Sequence, residues 1–216
     1  QDKGRQNIMQ RKESLEKAVE LTTKLVNQAK QVVTGTRIIP NRIVSFFDHE
    51  ARPIKKGKLS KKTEFGYKVR IDETESGFVT GYEVYEGNPF DDGMLLDAVK
   101  DHKKRFGKAP KAVATDRGFS GKQNDIDLEK EGVLRRSLPR KGKKGKKRSE
   151  YEKEPWFQDL QRFRAAGEAK ISLLKRKYGL DRSRYRGFAN TKSWVGFGIF
   201  THNLVRAAKM LSVGAN

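Results

Sequence analysis

The sequence predicts an α/β protein, a mixed five-stranded sheet flanked by helices and preceded by an N-terminal helical extension. Three observations carry that expectation: an apolar stripe at helical spacing over residues 8–33, two β-type runs joined by a short polar turn, and a later alternation of short apolar runs with helical periodicity.

From Ile8 to Val33, Leu15, Val19, Val26, Ala29 and Val33 recur at helical intervals, with Ala18, Leu21, Leu25 and Val32 widening the stripe, and Thr34-Gly35-Thr36 stops the helix. Residues 1–36 are therefore expected to form a helical extension, and residues 37–216 the main domain. Because the chain begins at Gln1 rather than Met, a further N-terminal portion is expected upstream. Arg42 to Asp48 is a short apolar run ending in an acid, the pattern of a buried first strand, and a basic loop from Arg52 to Lys62 follows it. In Phe65 to Ile71 the odd positions are apolar and the even ones Gly or basic, a half-exposed strand. Phe78 to Tyr85 is its hairpin partner across Glu73-Thr74-Glu75-Ser76-Gly77. Asp91 or Asp92 caps a helix that carries Leu95, Leu96, Ala98, Val99 and Phe106 and closes at Gly107. Lys111 to Asp116 is a strand, Lys122 to Glu131 a helix, and Val133 to Leu138 another strand. Residues 140–148 hold seven basic residues in nine, a flexible basic loop within 139–150. A helix with Leu160, Phe163, Ile171, Leu174 and Tyr178 ends at Gly179, and a last one covers Ser193 to Leu211. This order is the layout of a ribonuclease H-like fold.

Composition narrows the function. The 48 Lys and Arg against 27 Asp and Glu leave a charge of +21, of which residues 101–216 supply +18. A field of that sign and size selects a polyanion, most simply nucleic acid. The lack of cysteine excludes disulfide scaffolds, thiolate metal sites and cysteine nucleophiles. No apolar run reaches the roughly 20 residues that a membrane span needs, and nowhere in these residues does a charged n-region precede an apolar h-region.

Against this basic background three acids stand out. Asp48 and Asp116 end the first and fourth expected strands, which that layout sets side by side, and Glu168 lies on the helix after the basic loop. Paired carboxylates in a basic groove would gather hard divalent cations, Mg²⁺ or Mn²⁺, and two such ions stabilise the attacking and leaving oxygens of an in-line phosphoryl displacement. At about 100° per residue, Arg164 and Lys175 share a helix face with Glu168, at the border of the apolar stripe. Glu50 and Asp72, the latter also ending a strand, are rivals of Asp48. His49 reads as solvated rather than as a ligand, His102 and His202 lie on expected helices and carry no functional signal, and Trp156, Phe157 and Trp194 read as core anchors rather than base-stacking groups.

The chain resembles bacterial insertion-sequence transposases of the DDE type. The resemblance rests on Phe47-Asp48-His49-Glu50-Ala51-Arg52-Pro53-Ile54, Glu64-Phe65-Gly66-Tyr67-Lys68-Val69, Gly87-Asn88-Pro89-Phe90-Asp91, Ala114-Thr115-Asp116-Arg117-Gly118-Phe119 and Arg162-Phe163-Arg164-Ala165-Ala166-Gly167-Glu168, and it runs from about Arg42 to Ala208. The third acid of that superfamily lies in a Tyr-x2-Arg-x3-Glu-x6-Lys signature. Arg164, Glu168 and Lys175 fit it, whereas Gln161 stands at the Tyr position. The resemblance implies that 37–216 is a catalytic domain with Asp48, Asp116 and Glu168 as catalytic acids and ligands of two Mg²⁺ or Mn²⁺ ions. It also implies DNA contacts from Arg164 and Lys175, and a homodimer on DNA in the bacterial cytoplasm, associated with the nucleoid. The basic loop adds Lys143, Lys144, Lys146 and Lys147 as candidate grips on the DNA backbone. The implied activity is cleavage at element ends followed by strand transfer. A nuclease that cuts without joining, and a truncated DNA-binding remnant, are the alternatives.

Overall fold

The computed structural model describes residues 2–36, 38–58 and 61–213. Among them are six α-helices: α1 (Asp2–Val33), α2 (Asp92–Phe106), α3 (Lys122–Lys130), α4 (Lys146–Lys153), α5 (Pro155–Tyr178) and α6 (Phe188–Val213). Six short strands accompany them: β1 (Arg52–Lys58), β2 (Lys61–Gly66), β3 (Lys68–Glu73), β4 (Val79–Tyr85), β5 (Ala112–Ala114) and β6 (Arg135–Ser137). The α/β class holds, but the strands form three two-stranded sheets rather than one five-stranded sheet. β1 pairs antiparallel with β2 and β3 with β4, while β5 and β6 run parallel across the α3 crossover, Val113 opposite Arg136.

Three expectations are corrected by local hydrogen bonding. Residues 42–48 form no strand. The side-chain amide of Gln28 on α1 takes the place of a neighbouring strand there, accepting from Ile43 N–H at 2.7 Å and donating to its carbonyl at 3.3 Å. The backbone groups of Ile43 are thus satisfied by a side chain rather than by a ladder, and the Asp48 N–H by the Ser45 hydroxyl at 3.1 Å. The run expected as a single strand over 65–71 breaks at Gly66, whose φ of +148° is open only to glycine, so β2 turns to β1 and β3 turns to β4. The segment 52–62, expected as a loop, lies largely in the β1–β2 hairpin.

The core has two centres. Val79, Val84, Leu174, Val195 and Ile199 bury one side of the β3–β4 hairpin against α5 and α6. Leu95, Val99, Leu128, Val133 and Leu138 fill the space between α2, α3 and the strand β6 region, joined by Val113 and Phe119.

Helix α5 spans both regions and positions the site. Pro155 starts it with a preset φ. Gly179 ends it at φ +76°, where the N–H of Leu180 returns to the Leu174 carbonyl at 3.2 Å. Trp194 on α6 then donates its indole N–H to the Gly179 carbonyl at 2.7 Å, fixing the end of α5 to α6.

Candidate active site

Asp116 follows β5 after Thr115 and caps the short 3₁₀ turn Arg117–Phe119, its Oδ1 accepting the Gly118 N–H at 2.7 Å. The glycine of Asp-Arg-Gly-Phe has a steric role. A Cβ at Gly118 would stand 2.8 Å from Asp116 Oδ1 and 2.7 Å from Asp91 Oδ2, so only a bare backbone lets both carboxylates approach. The sequence suggests Asp91 only as a helix cap, yet its side chain makes no cap bond and instead pairs with Lys68 beside this turn. Sequence periodicity carries no signal for that placement.

Glu168 is brought to Asp116 by α5. Gln161, one turn before Arg164, directs its amide nitrogen to the Ser137 carbonyl and hydroxyl, both at 2.9 Å, and to the Thr115 carbonyl at 3.3 Å. That amide pins α5 to the ends of β5 and β6, next to Asp116. Arg164 then stands between two acids, its Nη2 3.7 Å from Asp116 Oδ2 and 3.6 Å from Glu168 Oε1. Both separations are ionic rather than hydrogen-bonded. Glu168 is 74% exposed and Asp116 48%, so these carboxylates face solvent.

Asp48 is held from another direction. Its Oδ1 accepts the Tyr67 hydroxyl at 2.7 Å. Burial, reinforced by that bond to a carboxylate, raises the Tyr67 phenol well above its ordinary range, so it stays a donor. The rivals of Asp48 have structural roles. Glu50 accepts the Phe188 N–H at 2.6 Å at the start of α6, and Asp72 pairs with Arg70 at 3.1 Å. Burial raises the Asp72 carboxyl, and Arg70 only partly offsets it.

Asp48, Asp116, Arg164, Glu168 and Lys175 line one cavity of about 1840 Å³. A second cavity of about 530 Å³ shares Asp116 and Arg164 with it and extends to Lys144 of the basic segment. That segment is more ordered than a flexible loop. Lys146 and Lys147 open α4, and buried Glu152 on the same helix collects the Arg140 N–H at 3.0 Å, Arg148 Nε at 2.9 Å and Lys144. Asp125 on α3 takes Arg140 and Arg148 at 3.2 Å each. Three of the seven basic side chains are thus neutralised internally, Lys144 among them, while Lys143, Lys146 and Lys147 are exposed.

A metal ion is what such acids suggest, and carboxylate oxygens are the donors that a hard divalent cation prefers. The arrangement is another matter. Among the described residues no group of three or more His, Asp or Glu side chains is gathered closely enough to hold an ion, and the Arg164 guanidinium supplies the positive charge between Asp116 and Glu168.

Comparison with protein families resolves what these residues belong to. The model of the transposase DDE domain matches residues 33–204, most of the chain. The chain belongs to the transposase DDE domain family. The match begins at the last residue of α1 and ends within α6, so it takes in every residue of the cavity named above. A DDE domain implies a ribonuclease H-like fold, DNA as the substrate, a nuclease or transposition activity and, in general, divalent metal ions. No curated protein and no solved structure matches the chain. No helix among the described residues is long and apolar enough to cross a membrane.

Proposed function

We propose that this DDE domain cleaves DNA at the ends of a bacterial insertion sequence and joins the freed 3′-hydroxyl to target DNA. Asp48, Asp116 and Glu168 are its catalytic acids, and drawn closer than they stand in this structure they would hold two Mg²⁺ or Mn²⁺ ions. Residues 37–216 form the catalytic domain, with 1–36 as a helical extension, and the enzyme works as a homodimer on DNA. The observation that carries the reading is the common cavity: the three acids line it together with Arg164 and Lys175, on a chain whose family match spans that cavity.

Bound ions would stabilise charge on the entering and leaving oxygens. The protein's own part is positional. Gln161 and the 3₁₀ turn set the spacing of Asp116 from α5, and Tyr67 fixes Asp48. Arg164 and Lys175 bring positive charge toward the DNA phosphates. Exposed Lys143, Lys146 and Lys147 grip the backbone beyond the second cavity, with Lys144 at its edge.

The test is Asp116→Asn on supercoiled DNA carrying the element's terminal repeats. Mn²⁺- or Mg²⁺-dependent cleavage should be abolished while non-specific DNA binding is retained. A variant that cuts like the parent overturns the assignment, and cleavage without joined product in the parent would make the protein a nuclease.

A further inference from the structure

An aromatic pair stands immediately before Asp48 and does no packing work in the core. Phe46 and Phe47 are 53% and 66% exposed, and their rings meet edge to face with centroids 5.6 Å apart. Burying such rings is worth a few kcal/mol, so leaving both in water is a cost that the fold does not recover by itself. Phe47 lines the 1840 Å³ cavity alongside Asp48. Across from it runs Asp181-Arg182-Ser183-Arg184-Tyr185-Arg186, which contributes three exposed arginines and a 55% exposed tyrosine to the same cavity. The Arg186 guanidinium lies over the Phe47 ring, 4.8 Å from its centroid. None of these arginines has an ion pair among the described residues. The segment bearing Phe47 is tied to this arginine run by the Glu50 carboxylate, which takes the Phe188 N–H.

A flat apolar ring, a guanidinium plane stacked on it and further exposed arginines beside it are together the parts of a site for a nucleotide whose base is unpaired. The ring and guanidinium take the π-face of the base and the arginines take the phosphates. A paired base within a duplex has no free face to offer, so the chemistry selects a frayed, overhanging or extruded nucleotide. We infer that Phe47, with Arg186, stacks an unpaired DNA base next to Asp48 and so positions the strand that the catalytic acids act on. The inference rests on the transposase reading. It adds a substrate-positioning residue that sequence spacing does not reveal, since a Phe-Phe pair in an apolar run reads as core.

The probe is a short DNA duplex with 2-aminopurine in a single-stranded overhang, compared with the same base analogue placed inside the duplex, both titrated with the full chain without added metal. Stacking on Phe47 should quench the overhang base several-fold and leave the paired one, already dim from stacking on its neighbouring bases, unchanged. Phe47→Leu keeps apolar bulk but removes the ring, and it should lose the quench and weaken overhang binding roughly 5- to 150-fold, the range for one base stacked on an aromatic side chain. Phe47→Tyr keeps the ring and should restore both. Equal quenching by the parent and Phe47→Leu, or failure of Phe47→Tyr to restore it in a folded variant, overturns the inference. So does a Phe47→Leu variant whose only change is in self-association, since that would make the pair a contact between copies. If the parent binds DNA but quenches neither probe, stacking alone fails; if it binds neither DNA, the transposase reading fails with it.

Discussion

At the scale of single residues, the active-site geometry depends on small polar side chains more than on the acids themselves. Gln161 is the clearest case. It stands where the superfamily signature has an aromatic, and its amide nitrogen reaches Ser137 and Thr115 at the ends of the two parallel strands. Ser137 is fully buried, so its carbonyl and hydroxyl lose a donor if the amide is removed. The Ser137 carbonyl keeps the Thr115 N–H and its hydroxyl keeps the Phe157 carbonyl, so Gln161→Leu should cost about 0.5–1.5 kcal/mol, the net worth of a lost hydrogen bond, measured as a shift in the urea midpoint. It should also lower cleavage rate more than DNA affinity, because Arg164 and Glu168 lose their register against Asp116. Unchanged stability and rate would show that packing alone sets the register of α5.

At the scale of elements, the segment 140–153 behaves as a folded platform. Glu152 is buried, which opposes its ionisation, yet Lys144, the Arg140 N–H and Arg148 together hold its carboxyl below the usual range. Its contribution to stability is thus present above the ordinary carboxylate pKa and is lost as pH falls through its own lower value. This pairing divides the basic residues into two groups with different roles. Neutralising Lys143, Lys146 and Lys147 together should flatten the plot of log affinity against log salt by about 0.9 for each DNA phosphate that the variant no longer neutralises. Lys144→Ala should change that slope little and instead loosen the platform, seen as faster amide exchange in α4. An unchanged slope in the triple variant would remove the segment from the DNA interface.

At the scale of the whole molecule, α5 couples the catalytic end of the protein to the hairpin core. Leu174 is fully buried between β4 and α6, and four residues earlier Lys170 reaches Glu73 at 3.3 Å and the Gly77 carbonyl at 3.2 Å. His202 on α6 is buried against Lys170, Tyr178 and Asn203, with Glu73 and Arg206 nearby. Burial, aided by the charges of Lys170 and Arg206, lowers its pKa, with Asn203 and Glu73 opposing. The unfolded chain then binds the proton more readily than the folded one. Stability from this group is complete above about pH 6.5 and declines as pH falls below it. Urea midpoints at pH 7.5 and 5.5 should show that decline, and His202→Gln should reduce it. Equal pH dependence in parent and variant would place the sensitivity elsewhere.

The sequence by itself determined the helices α2, α3, α5 and α6, the β3–β4 hairpin, the nucleic-acid sign of the surface and the family, because these follow from periodicity, glycine stops, charge and short motifs. Local rules govern such features, and the observed elements agree with them to within a few residues, except that α6 starts at Phe188, five residues before the expected Ser193. The expected first strand was not decided locally, since an apolar run at 42–48 becomes a strand only when another strand meets it, and a glutamine on α1 meets it instead. The single five-stranded sheet failed for the same reason: pairing is a property of partners distant in sequence. Only the tertiary structure set Arg164 between Asp116 and Glu168, drew Lys144 to Glu152 and left Phe47 exposed beside Asp48. Each of these depends on which charged or aromatic group arrives from another element, and a linear spacing holds no record of that arrival.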